Sequence, residues 1–386
     1  MSKLSFISLM RAYAWGGSEE LWQKTALLAA KQNHVVAAHM SDLAIGHPKA
    51  IELSQAGIFT GFRKERLTLQ DRVIRKFRLQ QHNKSDIVNY WKINLKETDD
   101  LYVISGGNTF DCLHYPELFE KLHKENSAYV YISQHHYEHG AIDKYYRDLN
   151  VTIFEKAKKI FFVSQRNLDV VQMQLGKVFE NAEVIFNPIN LPGATYIKNP
   201  YTADQSLHAA CVARLECANK GQDILLKALA TEKWLNRDIH FSFYGKGPDE
   251  EYLTRLAAHL GLQHKVSFCG HVNNIQDIWK SNHVLLMSSL AEGTPLSLME
   301  AMACGRSAVL TDVGGNAEWI TDGYNGFIAE GPAPASLDAA LEKMWQQREA
   351  LPAMGRRCYE TFINKYPDDA IAYLFDKLKA LLPAAE

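Results

Sequence analysis

The chain has no Cys-x-x-Cys among its six cysteines, no Asp-x-Asp, no complete Gly-x-Gly-x-x-Gly and no excess of either charge. Each absence removes a class of protein. Cysteines scattered through apolar surroundings point to buried free thiols in a reducing, cytoplasmic compartment, not to a redox pair or a zinc ribbon. Without an Asp-x-Asp there is no carboxylate pair of the kind that holds Mg²⁺ or Mn²⁺ against a diphosphate, so the expected chemistry uses no metal and no cofactor. The turn Gly245-Lys-Gly247-Pro-Asp-Glu250 lacks the third glycine of the dinucleotide fingerprint, which argues against a dehydrogenase. Lys+Arg at 42 against Asp+Glu at 44 give a formal net charge of −2, so no nucleic-acid partner is expected. No apolar run approaches the roughly 18 residues of a membrane span. The start Met1-Ser-Lys-Leu-Ser-Phe-Ile-Ser-Leu-Met10, followed by Arg11, reads as a first strand and not as a signal peptide.

What is present is an ordinary globular composition, 47% hydrophobic and 22% charged over 386 residues, long enough for about two domains. Short apolar runs alternate with amphipathic stretches, the pattern of parallel β/α units. Strands are expected at 4–9, 34–39, 101–104, 128–132, 160–163 and 183–186. The rhythm restarts with 209–213, 239–244, 266–269, 284–287 and 307–310. Helical patterns cover 19–31 and 116–124. Residues 187–200 break the rhythm with three prolines and a glycine and read as a linker. The expected fold class is therefore α/β, with two doubly wound Rossmann-like domains: an N-terminal one over 1–190 and a C-terminal one over 205–365. Such folds bind ligands beyond the carboxyl ends of strands, in the crevice between lobes.

The motifs fall just after strands. In Glu292-Gly-Thr-Pro-Leu-Ser-Leu-Met-Glu300, Thr294 reads as a cap and Pro295 as the first residue of a helix ending near Gly305. Its free amides and positive end suit phosphate, and the flanking Glu292 and Glu300 can accept from hydroxyls. Arg214 at one strand end and Lys220 in the next loop offer a rigid fork and a movable point charge. The stretch Val313-Gly-Gly-Asn-Ala-Glu318 reads as a close backbone approach, for packing as much as binding. In the first half, Trp15-Gly-Gly-Ser-Glu-Glu-Leu-Trp22 reads as a glycine-rich turn into a helix, with Ser18 as cap. A strand end at Ser133-Gln-His-His-Tyr-Glu-His139 carries three histidines whose spacing does not read as a metal site.

The ordered set Arg214…Lys220-Gly221, Tyr244-Gly-Lys-Gly247, Phe268-Cys-Gly-His-Val272, Glu292…Glu300 and Val313-Gly-Gly-Asn-Ala-Glu318 resembles the retaining GT-B glycosyltransferases of family 4, the glycosyl transferases group 1. The specific likeness covers about residues 208 to 328. The resemblance implies two Rossmann-like domains facing each other across a cleft, with a last helix, about 368–386, crossing back to the first. It implies retaining, metal-independent transfer of a hexose from a UDP- or GDP-linked sugar to a glycan, lipid-linked or small-molecule hydroxyl, in the synthesis of cell-envelope polysaccharide. Arg214 and Lys220 would hold the diphosphate, Glu292 the donor sugar and Glu300 the ribose. The backbone of Gly293, Thr294, Pro295 and Leu296 would cup the distal phosphate or sugar. His271 and Val272 would flank the base, Gly245 would line the donor site, and Gly16 and Gly17 would let backbone approach the phosphates. His135, with His136 second, would stand near the donor sugar.

The segment 62–79 carries seven cations against two anions, interleaved with apolar residues. It reads either as a solvated helix face or as peripheral contact with anionic membrane or a charged glycan. A non-catalytic sugar-nucleotide sensor and a GT-B sugar-nucleotide epimerase remain as alternatives.

Overall fold

A computed structural model describes residues 2–11, 13–64, 82–96, 99–138, 142–191 and 195–383. The chain forms two compact units, Met1–Pro188 with Asp369–Glu386, and Ile189–Asp368.

The first unit is built on a parallel sheet of seven strands: β1 (Lys3–Ser8), β2 (Val35–Ser41), β3 (Phe59–Arg63), β4 (Leu101–Asn108), β5 (Tyr129–His135), β6 (Lys159–Phe162) and β7 (Ala182–Val184). Their spatial order is β3-β2-β1-β4-β5-β6-β7. Strand alternation divides the core into two layers. Leu4, Phe6, Val103, Val130 and Ile132 pack with Leu21 and Trp22 of the helix Gly17–Lys31 on one face. Ile7, Ile104, Tyr131 and Phe162 pack with Leu118 and Phe154 on the other. The helix Ala370–Lys379 adds Leu374, Phe375 and Leu378 to the first layer, and Phe375 meets His34 edge-on at 5.5 Å.

The second unit holds β8 (Leu207–Val212), β9 (Ile239–Tyr244), β10 (Val266–Gly270), β11 (Val284–Met287), β12 (Ser307–Thr311) and β13 (Gly326–Ala329), in the order β10-β9-β8-β11-β12-β13. All pairings are parallel. In each unit the order reverses beside the first strand, between β1 and β4 and between β8 and β11. Loops that leave these strands diverge, and a ligand finds room there.

Two strands were not expected from the sequence, β3 and β13. Phe59–Arg63 has glycine at its centre and a wholly buried arginine at its end, and Gly326–Ala329 has four residues with glycine first. Neither presents the apolar run by which a buried strand is recognised. Arg63 also revises the reading of 62–79. Its guanidinium donates to Ser8 O at 3.0 Å and Tyr115 Oη at 3.2 Å and lies over the rings of Trp91 and Tyr115, so it is a core cation and not part of a surface stripe. Residues 65–79 of that segment lie outside the described residues.

Candidate functional site

In the second unit the site grows from the ends of β8 and β11. β11 is buried throughout and continues into Ser288 and Ser289, both buried. The loop after β8 is tied to this end by two bonds: Leu290 N donates to Asn219 O at 2.8 Å and Ser288 Oγ to Lys220 O at 2.9 Å. Gly221 has φ +59°, and a Cβ there would stand 2.2 Å from Ser288 O. Only glycine lets the two loops touch.

That contact delivers Lys220 to Glu292. Lys220 Nζ lies 2.6 Å from Glu292 Oε1, which also accepts from Ser289 Oγ at 2.7 Å. Glu292 is 6% exposed, whereas the lysine side chain keeps 26% exposure. Arg214 stands exposed just beyond β8, its Nε 3.9 Å from Glu216 Oε2 and its carbonyl held by Gln222 Nε2 at 2.7 Å.

The helix after Glu292 spans Leu296–Ala303, one residue later than the sequence suggested. Pro295, with φ −71° and ψ 127°, is the N-cap and not the first helical residue, its own side chain makes no capping bond, and Thr294 stands one place before it. Pro295 O accepts from Leu298 N and Met299 N, the bonds that open the helix, and the amides ahead of them have no partner within the helix itself. Leu298 to Ala303 are all buried. Gly305 follows at φ +73° as the left-handed stop.

The loop 292–294 is braced from β12. Gly314, at φ +51°, would place a Cβ 2.2 Å from Glu292 O, and Gly315 N donates to Gly293 O at 2.7 Å. The role of this glycine pair is backbone packing against the loop. Gly245 is likewise fixed by packing, since a Cβ there would meet Ala213 O at 2.0 Å. Glu300, 3% exposed, commits Oε1 to Asn190 N at 3.1 Å. His271 and Val272 follow β10, with His271 exposed. β10 stands two strand spacings from β8, roughly 10 Å.

The remaining predicted residues belong to the first unit. Gly16 is the N-cap of the helix Gly17–Lys31, in extended conformation and without a side-chain cap. The helix begins one residue before Ser18, so Ser18 lies inside it instead of capping it. A Cβ on Gly16 would meet nothing closer than 3.7 Å, so neither backbone nor neighbours demand glycine there. His135 ends β5, half-buried, with Tyr137 edge-on at 5.3 Å. His136 is a core residue: 1% exposed, bonded through Nε2 to Gln174 at 2.9 Å, with burial pushing its pKa down to about 4. His139 lies outside the described residues. Sequence reading missed Ser288 and Ser289, which carry no motif of their own but hold Lys220 and Glu292. Among the described residues, no three His, Cys, Asp or Glu side chains gather as metal ligands, and no helix is long and apolar enough to cross a membrane.

Two doubly wound parallel sheets, with chemistry-bearing loops at both switch points, define a GT-B fold. A solved Anabaena protein, Alr3699/HepE in complex with UDP, superimposes with a TM-score of 0.71 over 98% of this chain and 100% of that one, at 18% identity. Residues 197–361, within the second unit, match the family described as Glycosyl transferases group 1. The putative glycosyltransferase EpsD of Bacillus subtilis is 30% identical over 146 residues, 38% of each chain. The GtfA subunit of the UDP-N-acetylglucosamine–peptide N-acetylglucosaminyltransferase of Streptococcus pneumoniae is 24% identical over 268 residues, 64% of this chain and 52% of that one. The matches thus span about four- to five-tenths of these relatives' lengths.

Proposed function

We propose that the chain is a retaining glycosyltransferase that moves a hexosyl residue from a nucleotide diphosphate sugar to a hydroxyl acceptor without a metal ion, in the synthesis of envelope polysaccharide. The observation that carries this reading is the Lys220–Glu292 pair set in the loop that leads into the helix start after Pro295. A buried carboxylate holds a half-exposed lysine where a diphosphate would meet helix amides. When the anomeric bond breaks, negative charge builds on the leaving phosphate oxygen. Lys220 can then turn from Glu292 to that oxygen, and Arg214 adds a second cation. Glu292, relieved of the lysine, can accept a hydrogen bond from a donor-sugar hydroxyl. The acceptor oxygen forms the new bond on the face the phosphate leaves, and its proton passes to the departing phosphate. Atoms and charge balance without an enzyme nucleophile. UDP is the first nucleotide to test, because the pneumococcal relative is named for UDP-N-acetylglucosamine and the Anabaena protein was solved with UDP. Glycan and lipid-linked hydroxyls are the acceptor classes, and peripheral membrane contact belongs to the same reading.

The test is a panel of UDP- and GDP-sugars incubated with chelator and scored for nucleotide release. One donor should be turned over slowly, with Lys220→Ala slower by on the order of 10²-fold. Binding of a nucleotide sugar with no turnover in the presence of any acceptor extract would replace the transferase with a sensor.

A further inference from the structure

The first turn of the helix Gly17–Lys31 carries two adjacent glutamates, and the fold silences both. Glu20 does so by pairing: its carboxylate accepts from Trp15 Nε1 at 3.1 Å and faces Lys24 at 3.2 Å and Lys49 at 3.8 Å. Glu19 points the other way, into the sheet, and is 2% exposed. Its Oε2 accepts from Trp22 Nε1 at 2.9 Å, its backbone N–H returns to Gly16 O at 3.0 Å, and the hydroxyls of Ser8 and Ser18 lie against it. No lysine or arginine pairs with its carboxyl at ion-pair distance among the described residues. A bare carboxylate in that place would neutralise part of the positive end of the helix and compete for it with an anionic ligand.

We propose that Glu19 is a positioning residue whose buried carboxyl, with no cation at ion-pair distance among the described residues, ties the Gly16-Gly17 loop to the end of β1 in its neutral form and so leaves the helix start receptive to an anionic group of the substrate. This rests on the reading of that loop as part of a phosphate-handling site. Three further observations support it. Burial outweighs every stabilising contact and raises the Glu19 carboxyl to about 7. The charged groups packed around it have partners of their own. Arg63 of β3 stays charged and donates to Ser8 O, and His39 of β2 is held neutral, its pKa lowered to about 4 by burial and by Arg63. From the neighbouring helix Pro48–Gln55, Lys49 is shared by Glu20 and Glu52. On the helix Ala370–Lys379, Lys377 pairs with Glu183 and Lys379 with Asp376. Finally, Ser105 of β4, the register partner of Ser8, and Gln134 near the end of β5 lie on the face that carries Val103 and Ile132 towards this helix. The Ser105 hydroxyl and both amide atoms of Gln134 are buried with no hydrogen-bond partner among the described residues. Unpartnered polar groups buried on the sheet face that this helix covers suit a polar ligand group better than apolar packing.

The experiment is calorimetric titration of the full chain with UDP and with GDP from pH about 5.5 to about 8.5, comparing wild type with Glu19→Gln. Glutamine keeps the shape and hydrogen-bonding capacity of the protonated acid and cannot ionise. Wild-type affinity should fall roughly three- to tenfold as pH rises through 7, the scale of one charge at a helix terminus, while Glu19→Gln stays tight across the range. The same pH course in both proteins overturns the proposal alone. So does loss of binding at every pH in a folded Glu19→Gln, which would mean that the charge is needed. Failure of both proteins to bind either nucleotide overturns the underlying reading, and the proposal with it. If Glu19→Gln does not fold, Trp22→Phe takes its place: losing the indole donor to Oε2 should move the wild-type transition to higher pH, and an unmoved transition counts against the proposal.

Discussion

Lys220 and Glu292 show what a single residue's sequence context can and cannot convey. Each was legible by its neighbours, a lysine opening a loop and a glutamate ahead of a helix start. Their 2.6 Å contact was not, because it depends on two loops 72 residues apart leaving adjacent parallel strands, β8 and β11. The pair has a testable energetic signature. Replacing Lys220 with Met strands the buried Glu292 charge without its cation and should destabilise the second unit by about 1–2 kcal/mol, less than for a fully buried pair because the lysine is partly exposed. Adding Glu292→Gln removes that charge and should restore most of the stability, while transfer stays at the level of the single mutant or below. Urea unfolding of the four proteins, read as a double-mutant cycle, measures this coupling. Additive losses would mean that the two residues do not share an ion pair in solution.

For whole elements, apolar runs located the central strands well because in a parallel sheet they are buried on both faces. β9 and β11 fall at the expected residues, whereas the edge strands β3 and β13 escaped. The helix start at Leu296 was misjudged by one residue for an instructive reason. Proline is compatible both with the first helical position and with the extended conformation of a cap, and only the carbonyl that accepts the first helical bond decides between them. The glycines behave similarly, since their identity was visible but the backbone each one admits was not. Gly314 and Gly323 both have positive φ, +51° and +73°, so alanine at either should cost about 1 kcal/mol in strain. A Cβ at 323 meets nothing within 4 Å, whereas one at 314 collides with Glu292 O. Gly314→Ala should therefore displace the 292–294 loop and lower donor turnover at least tenfold, and Gly323→Ala should leave turnover within about twofold of wild type at a similar loss from strain. Nucleotide release and melting temperature measured on both variants separate the two effects.

In the molecule as a whole, the response to pH follows from where titratable groups are buried, which no motif announces. His39 and His136 in the first unit and His283 in the second are each lowered to about 4, with burial as the first cause. A histidine depressed in the folded state binds its proton more readily when unfolded, so each contributes stability that is present above about pH 6.5 and lost as pH falls towards 4. Glu19 has the opposite sign. Its folded pKa of about 7 lies above its ordinary value of 4.5, so the native state binds the extra proton, and the stability this brings is lost as pH rises from about 4.5 through 7. Within the first unit, His39 and His136 on one side and Glu19 on the other therefore pull against each other between about pH 4.5 and 6.5. Glu19→Gln deletes the opposing contribution and leaves both histidines in place. The unfolding free energy of that unit should then rise more steeply with pH than in wild type, by one proton's worth, about 1.4 kcal/mol per pH unit. The second unit should be unchanged in slope. Chemical denaturation of the intact protein at several pH values, followed by fluorescence of Trp15, Trp22 and Trp91 in the first unit against Trp234, Trp279, Trp319 and Trp345 in the second, using Trp→Phe backgrounds, measures the two slopes in one molecule. Equal slopes for Glu19→Gln and wild type in the first unit would mean that Glu19 ionises normally despite its burial, and that a water path reaches it through the glycine loop.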